Sequence, residues 1–249
     1  MKALIIWGFV LSALGCGKLA ENSPSAQEIV DRSIEASGGH RYTSSNIAFF
    51  FRDMKYVMEQ TPEGRTLKRI KITDTTRVTD IRKHDGFVRQ VDGQTVEVPD
   101  SMATRYSNSI NSVHYFAYLP FGLNDEAVNK ELLGEVKIGS RDYYKVRVTF
   151  DKLGGGKDYE DIYVYWFDKK TFKPDYLAYE FEVDGGGLRF RKAYNERYVG
   201  GIRFVDYENY DVKTGPRPSQ LDSLYKAGAL ELLSKIELTE ITVNPDSYN

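Results

Sequence analysis

Between Glu131 and Val212 six segments read as strands: "ELLGEVKI", "DYYKVRVTF", "EDIYVYWFD", "YLAYEFEV", "LRFRKAYNERY" and "IRFVDYENYDV". Short turns divide them, at Gly139-Ser140, Gly154-Gly155-Gly156, Asp168 to Thr171, Asp184 to Gly187 and Gly200-Gly201. Parallel neighbours need crossovers of a dozen or more residues, so strands joined this tightly run antiparallel, up and down one sheet. The third segment adds a second constraint. Ile162, Val164 and Trp166 share one of its faces, and Tyr163, Tyr165 and Phe167 share the other. A strand with one wet face alternates apolar with polar, so here something covers each side: a packed helix, or a guest that is not protein.

Further strands precede this block. "NIAFFF" (46–51) again has both registers apolar, with Ile47, Phe49 and Phe51 on one and Ala48 and Phe50 on the other. "YVMEQ", "TLKRIKIT" and "RVTDIRK" continue a meander with one charged face, and Asp85-Gly86 and Asp92-Gly93 mark hairpin turns around "FVRQV". Ser25 caps a helix carrying Ile29, Val30, Ile34 and Ala36, which stops at Ser37-Gly38-Gly39. Met102, Tyr106, Ile110, Val113, Phe116 and Ala117 recur at helical spacing, so a second helix over 101–118 interrupts the sheet and Pro120 ends it. A short helix from Pro218 to Leu230 precedes a last strand, "KIELTEITV". The expectation is a mainly β chain: about ten or eleven strands in one wide, curved sheet that must close or be covered.

Composition narrows the function. The 249 residues carry 34 basic and 36 acidic side chains, a formal charge of -2, so no electrostatic surplus draws the chain to nucleic acid. Aromatic residues make up 13%, which suits strands better than a helical bundle. The single cysteine, Cys16, ends "MKALIIWGFVLSALGC", where Lys2 is a positive n-region and Ala3 to Gly15 is an apolar run too short to span a bilayer. This looks like a bacterial lipobox, Ala13-Leu14-Gly15 before Cys16. It implies a signal peptide over 1–15 and a lipidated Cys16 opening a polar tether over 16–26, with one domain over 27–249. The alternative is an ordinary secretory signal with a chance cysteine near its end. Residue 17 is Gly rather than Asp, which by the enterobacterial sorting pattern implies the outer membrane, facing the periplasm.

Motifs for covalent or metal chemistry are missing. The three histidines, His40, His84 and His114, show no metal-ligand spacing, and no GxSxG elbow occurs. "GGGKD" (154–158) lacks the ends of a phosphate-binding loop and reads as a hairpin tip. Asp151, Asp158 and Asp161 read as solvated loop acids rather than a calcium site. His114 reads as a polar tip on the helix end, with a catalytic base as the alternative. Arg189, Arg191, Arg197 and Arg203, with Asn195, are denser than background. They form either a solvated face paired with acids such as Asp206 and Glu208, or an anion-binding rim.

"VYWFDKKTFKP" (164–174) resembles the hairpin of lipoprotein carriers and receptors of the LolA/LolB type, an aromatic strand ending in Asp-x-x-Thr with a nearby Pro. "HYFAYLPFGLND" and "GGLRFRKAYNERYVGGIRFVDYENY" resemble an uncharacterised lipoprotein family of the Bacteroidota in the same superfamily. The resemblance covers about residues 25–245. It implies a half-open antiparallel β-barrel whose concave face is lined by apolar side chains and covered by the N-terminal and mid-chain helices. On that basis Phe49, Phe51, Phe116, Tyr118, Phe121, Tyr163, Tyr165, Trp166 and Phe181 are the candidate ligand-binding residues. The implied partner is lipid or the acyl chain of a lipoprotein, bound without catalysis, cofactor or metal by an envelope protein held to its membrane through Cys16. Helices completing a solid core would give the same two-faced strands. An envelope hydrolase using paired carboxylates, and a scaffold presenting its sheet to an envelope protein, are the other readings.

Overall fold

A computed structural model describes residues 23–153, 159–181, 186–212 and 216–245. The signal peptide, Cys16, most of the tether, the tip at 154–158 with Asp158, and most of the Asp184 turn lie outside the described residues. The first element is α1 (Ala26–Ser37). Ser25 Oγ accepts from the Glu28 N–H at 3.2 Å while the Glu28 carboxylate accepts from the Ser25 N–H at 2.8 Å, a reciprocal cap. Gly38 ends the helix at φ +147°, where an added Cβ would lie 3.1 Å from Tyr42 and 3.2 Å from Ile202.

Hairpins then build β1 (Ser45–Phe51), β2 (Met54–Thr61), β3 (Gly64–Ile72), β4 (Arg77–Lys83), β5 (Gly86–Val91) and β6 (Gln94–Val96). After α2 (Asp100–Ala117) come β7 (Val128–Ile138), β8 (Arg141–Phe150), β9 (Ile162–Asp168), β10 (Pro174–Phe181), β11 (Gly187–Val199) and β12 (Ile202–Val212). A 3₁₀ turn (Pro218–Gln220) leads into α3 (Leu221–Lys226), followed by β13 (Glu231–Ile236) and β14 (Thr239–Pro245). The pairings form two antiparallel seven-stranded sheets, in the orders β14-β1-β2-β3-β4-β5-β6 and β13-β12-β11-β10-β9-β8-β7. The described residues therefore hold more strands than the ten or eleven expected. There are fourteen, and the additions include the short return β6 and the division of "KIELTEITV" into two strands.

That break is the corner of the fold. The chain leaves the edge of the second sheet after Ile236 and joins the edge of the first at Thr239. Asp206 on β12 holds the corner: it is buried and accepts from Leu238 N–H at 2.9 Å, Arg197 Nη2 at 2.9 Å and Asn195 Nδ2 at 2.6 Å. A bulge between Tyr194 and Arg197, with Asn195 at φ +51°, bends β11 at the same place. The two sheets thus make one bent surface whose outer strands, β6 and β7, do not meet among the described residues. This is a mainly β, half-open antiparallel barrel.

Helices cover both sides of the second sheet. Its inner face packs Ile29 and Val30 of α1, with Leu119 and Leu123, onto Val146, Val148, Tyr165, Phe167 and Leu177. Its outer face packs Leu221 with Leu224 and Tyr225 onto Trp166, Val164, Ala178 and Phe190. Lys145 pins this outer helix, donating to Asp222 at 2.8 Å and to the Ser219 carbonyl at 2.9 Å. Helix α2 lies on the inner face of the first sheet, burying Ile110 against a cluster that includes Phe49, Tyr56, Met58 and Leu67. Part of the charge on β3 and β4 therefore faces inward: Asp80 is buried between Arg69, at 2.6 Å, and Arg89, also at 2.6 Å. Burial alone would raise the Asp80 carboxyl, but the hydrogen bonds from Arg89 and Arg69 outweigh it and hold the group below the usual range.

Candidate ligand-binding groove

The space that α1 and α2 leave between the sheets is a groove of about 760 Å³. That is the size of a site for a small molecule, for which about 300–1,000 Å³ is typical. Three elements wall it. The β1–β2 hairpin contributes Phe51, Met54 and Tyr56; α2 contributes Arg105, Asn108, Ser109, Ser112, Val113 and Phe116; the second sheet contributes Tyr163, Tyr179, Phe181, Arg191, Val205 and Tyr207. The alternation of the strands explains the last set, because β9 to β12 each send one register inward and pairing aligns Tyr163 with Tyr179.

Four of the nine candidates from the sequence meet in this groove: Phe51, Phe116, Tyr163 and Phe181. Phe116, Tyr163 and Phe181 form an aromatic wall with Tyr179, while Phe51 lies on the β1–β2 side, 6.4 Å from Tyr56. Tyr163 and Tyr179 stack at 5.3 Å, Phe116 lies 5.4 Å from Tyr179, and Phe181 lies 5.9 Å from Tyr179. Three others sit behind the wall. Tyr165 is fully buried and its hydroxyl lies 2.7 Å from that of Tyr115; Phe49 and Tyr118 are core residues in edge-on contact at 6.0 Å. Phe121 stacks on Tyr42 at 4.7 Å. Trp166 faces the opposite side of the sheet, in contact with Phe190 at 5.6 Å beneath α3. Strand parity separates it from Tyr163, and both registers are apolar because two different helices cover them.

The lining is amphipathic rather than uniformly greasy, because α2 turns its polar stripe of Arg105, Asn108, Ser109 and Ser112 into the groove. Arg69 reaches across to Ser109 Oγ at 3.1 Å. The carboxylates on the wall are Asp53 and Asp161. Residues that the sequence left out are Tyr179, Val205, Tyr207 and the polar stripe; the alternation of "YLAYEFEV" and "IRFVDYENYDV" was the signal for the first three. Among the described residues no three His, Cys, Asp or Glu side chains gather as a metal site. Nor, among them, is any helix long and apolar enough to cross a membrane.

His114 does not line the groove. It is buried on the other side of α2, with Nε2 lying 3.2 Å from the Lys68 carbonyl and Nδ1 3.1 Å from the Tyr118 hydroxyl. A carbonyl can only accept, so Nε2 carries the proton and Nδ1 accepts from Tyr118. Burial pushes its pKa down to about 3. Nε2 ties the helix to β3 and Nδ1 engages Tyr118 at the end of the same helix, which makes this a neutral structural histidine.

The family described as a family of unknown function, DUF6503, matches residues 9–238. No curated protein matches the chain. Among solved structures it is similar to a LolA superfamily protein from Nitrosomonas europaea, at 13% identity over 89% of this chain and 92% of that one, with a TM-score of 0.48. It is similar also to a DUF1329 family protein from Desulfovibrio piger, at 14% identity over 91% and 95%, with a TM-score of 0.43. A third is the lipoprotein LppX from Mycobacterium tuberculosis, at 10% identity over 64% and 88%, with a TM-score of 0.27.

Proposed function

The chain belongs to the DUF6503 family, whose function is unknown, and we propose that it binds a lipid or the acyl chain of a lipoprotein in the groove between its sheets, without catalysis. The observation that carries this reading is the groove of about 760 Å³ lined by Phe51, Phe116, Tyr163 and Phe181. Hydrocarbon suits such a wall because burying methylenes is non-directional and contributes about 0.8 kcal/mol for each one. Chains of different length and branching would be accepted on the same surface.

On this proposal Cys16 carries the lipid anchor, the segment 16–26 is a tether, and the domain after it works in the bacterial envelope, at the outer membrane facing the periplasm. Several acyl chains on one residue would hold it there stably, whereas a single chain binds marginally. A protein fixed in this way is suited to receiving or holding a lipid at the membrane rather than shuttling it. An envelope protein that hands over or takes the ligand is the partner this role calls for.

The test fills the groove. Ser112→Trp places an indole on its polar wall, and Phe116→Asp puts a charge on the aromatic one. Binding of 1-N-phenylnaphthylamine, an uncharged dye that fluoresces in apolar surroundings, should weaken at least tenfold in both, about 1.4 kcal/mol. Circular dichroism reports whether each variant is folded. Unchanged dye binding by folded variants overturns the proposal.

A further inference from the structure

Three of the four arginines on β11 and β12 are paired with carboxylates: Arg189 with Asp211 at 2.7 Å, Arg197 with Asp206 at 2.9 Å and Arg203 with Glu196 at 2.6 Å. Arg191 is different. Its side chain faces the groove, only 8% of the residue is exposed, and among the described residues no carboxylate pairs with it. Neutral groups hold it instead. Nη2 donates to the Tyr179 hydroxyl at 2.8 Å, Nε donates to Asn209 Oδ1 at 3.3 Å, and the guanidinium carbon sits 3.9 Å over the Phe116 ring.

These contacts orient the guanidinium without a direct ion pair to any carboxylate among the described residues. Two of its five N–H groups are used by Tyr179 and Asn209, and among the described residues Nη1 donates to no protein acceptor. A buried cation is costly unless an opposite charge compensates it and its N–H groups find acceptors. The planar fork of arginine matches the paired oxygens of a carboxylate or phosphate. Arg105 and Arg52 line the same groove, while Arg69 is already paired with Asp80 at 2.6 Å.

We propose that the groove selects amphiphiles with an anionic head, a carboxylate or a phosphate, and that Arg191 receives that head while the hydrocarbon lies along Phe116, Tyr163 and Phe181. The inference rests on the acyl-binding reading and adds the charge of the ligand to it. Its position over Phe116, at 3.9 Å, and Tyr179, at 5.1 Å, sets the cation against the aromatic wall, so head and chain are read by adjoining surfaces.

The experiment is competition against bound 1-N-phenylnaphthylamine by dodecanoate, dodecyl phosphate, dodecanol and inorganic phosphate. Both charged amphiphiles should displace the dye from the unaltered protein at concentrations at least tenfold lower than dodecanol. Arg191→Gln should abolish that preference, read as the ratio of the concentrations at which the charged amphiphiles and dodecanol displace the dye, with circular dichroism reporting its folding. Arg191→Lys, which keeps the charge without the fork, should retain part of it. Equal displacement by acid and alcohol, or a preference that survives in Arg191→Gln, overturns the inference while leaving acyl binding standing. Displacement by inorganic phosphate alone overturns it too, by making the site one for free anions. If neither dye nor any chain binds the unaltered protein, the acyl-binding reading itself falls.

Discussion

Acid should weaken this protein through one residue under α2. His114 is buried with both nitrogens engaged, and burial, reinforced by the positive Arg65 and Arg82 nearby, brings its pKa from 6.5 to about 3. The hydrogen bond to the Lys68 carbonyl opposes that shift and does not reverse it. Above pH 6.5 neither the folded nor the unfolded chain carries the proton. Below it the unfolded chain takes up a proton that the folded chain refuses, so stability is lost as pH falls from 6.5 towards 3. At about 1.36 kcal/mol for each pKa unit, lowering the pH from 7 to 5 removes about 2 kcal/mol through this group alone. Urea unfolding at the two pH values, for the unaltered protein and for His114→Gln, isolates the effect. Asp80, Glu196 and Glu208, held low in the folded state, also lose stability on acidification, and Asp125 and Asp175, raised by burial, gain it. These contributions are common to both proteins and cancel in the comparison. The unaltered protein should lose about 2 kcal/mol more than the variant; equal losses would refute a neutral buried histidine.

Two further outcomes follow from placement and from sequence. Trp166→Ala should cost about 3–5 kcal/mol in urea unfolding, because it empties the core beneath α3, yet leave dye binding unchanged in the folded fraction; weakened binding would contradict its position on the outer face. Labelled palmitate should be incorporated by growing bacteria into the full chain and lost in Cys16→Ala; labelling that persists in the variant removes the proposed anchor.

How much of this was legible in the sequence depended on whether the deciding contact was local. The reciprocal Ser25–Glu28 cap and Gly38 mark α1 within a few residues, and the period of Ile110, Val113 and Ala117 marks α2. The antiparallel up-and-down order was legible too, since short turns leave strands no other pairing, whereas the half-open barrel was implied only by the resemblance of motifs such as "VYWFDKKTFKP". The split of "KIELTEITV" left only a slip of the apolar register, from Ile236 and Leu238 to Ile241 and Val243 across Thr239-Glu240. The break is made by Asp206, which takes the Leu238 N–H, and by Arg197, which donates to the Leu238 carbonyl at 2.6 Å. Both lie more than thirty residues upstream.

The same holds for the groove. Parity put Trp166 and Tyr163 on opposite faces from the sequence alone, but the face that meets α3 is settled by Leu221 and Tyr225, far along the chain. The arginine cluster on β11 and β12 was visible as a cluster. Which member goes without a carboxylate depends on the register against β12 and on the bulge at Tyr194–Arg197, and that bulge has no signature of its own.

Native mass spectrometry of the protein incubated with an excess of a mixed-length fatty-acid pool tests the central claim most directly. The account predicts one bound chain per protein, absent from Ser112→Trp. A spectrum holding only the bare chain, or the same adduct on the filled-groove variant, would contradict it.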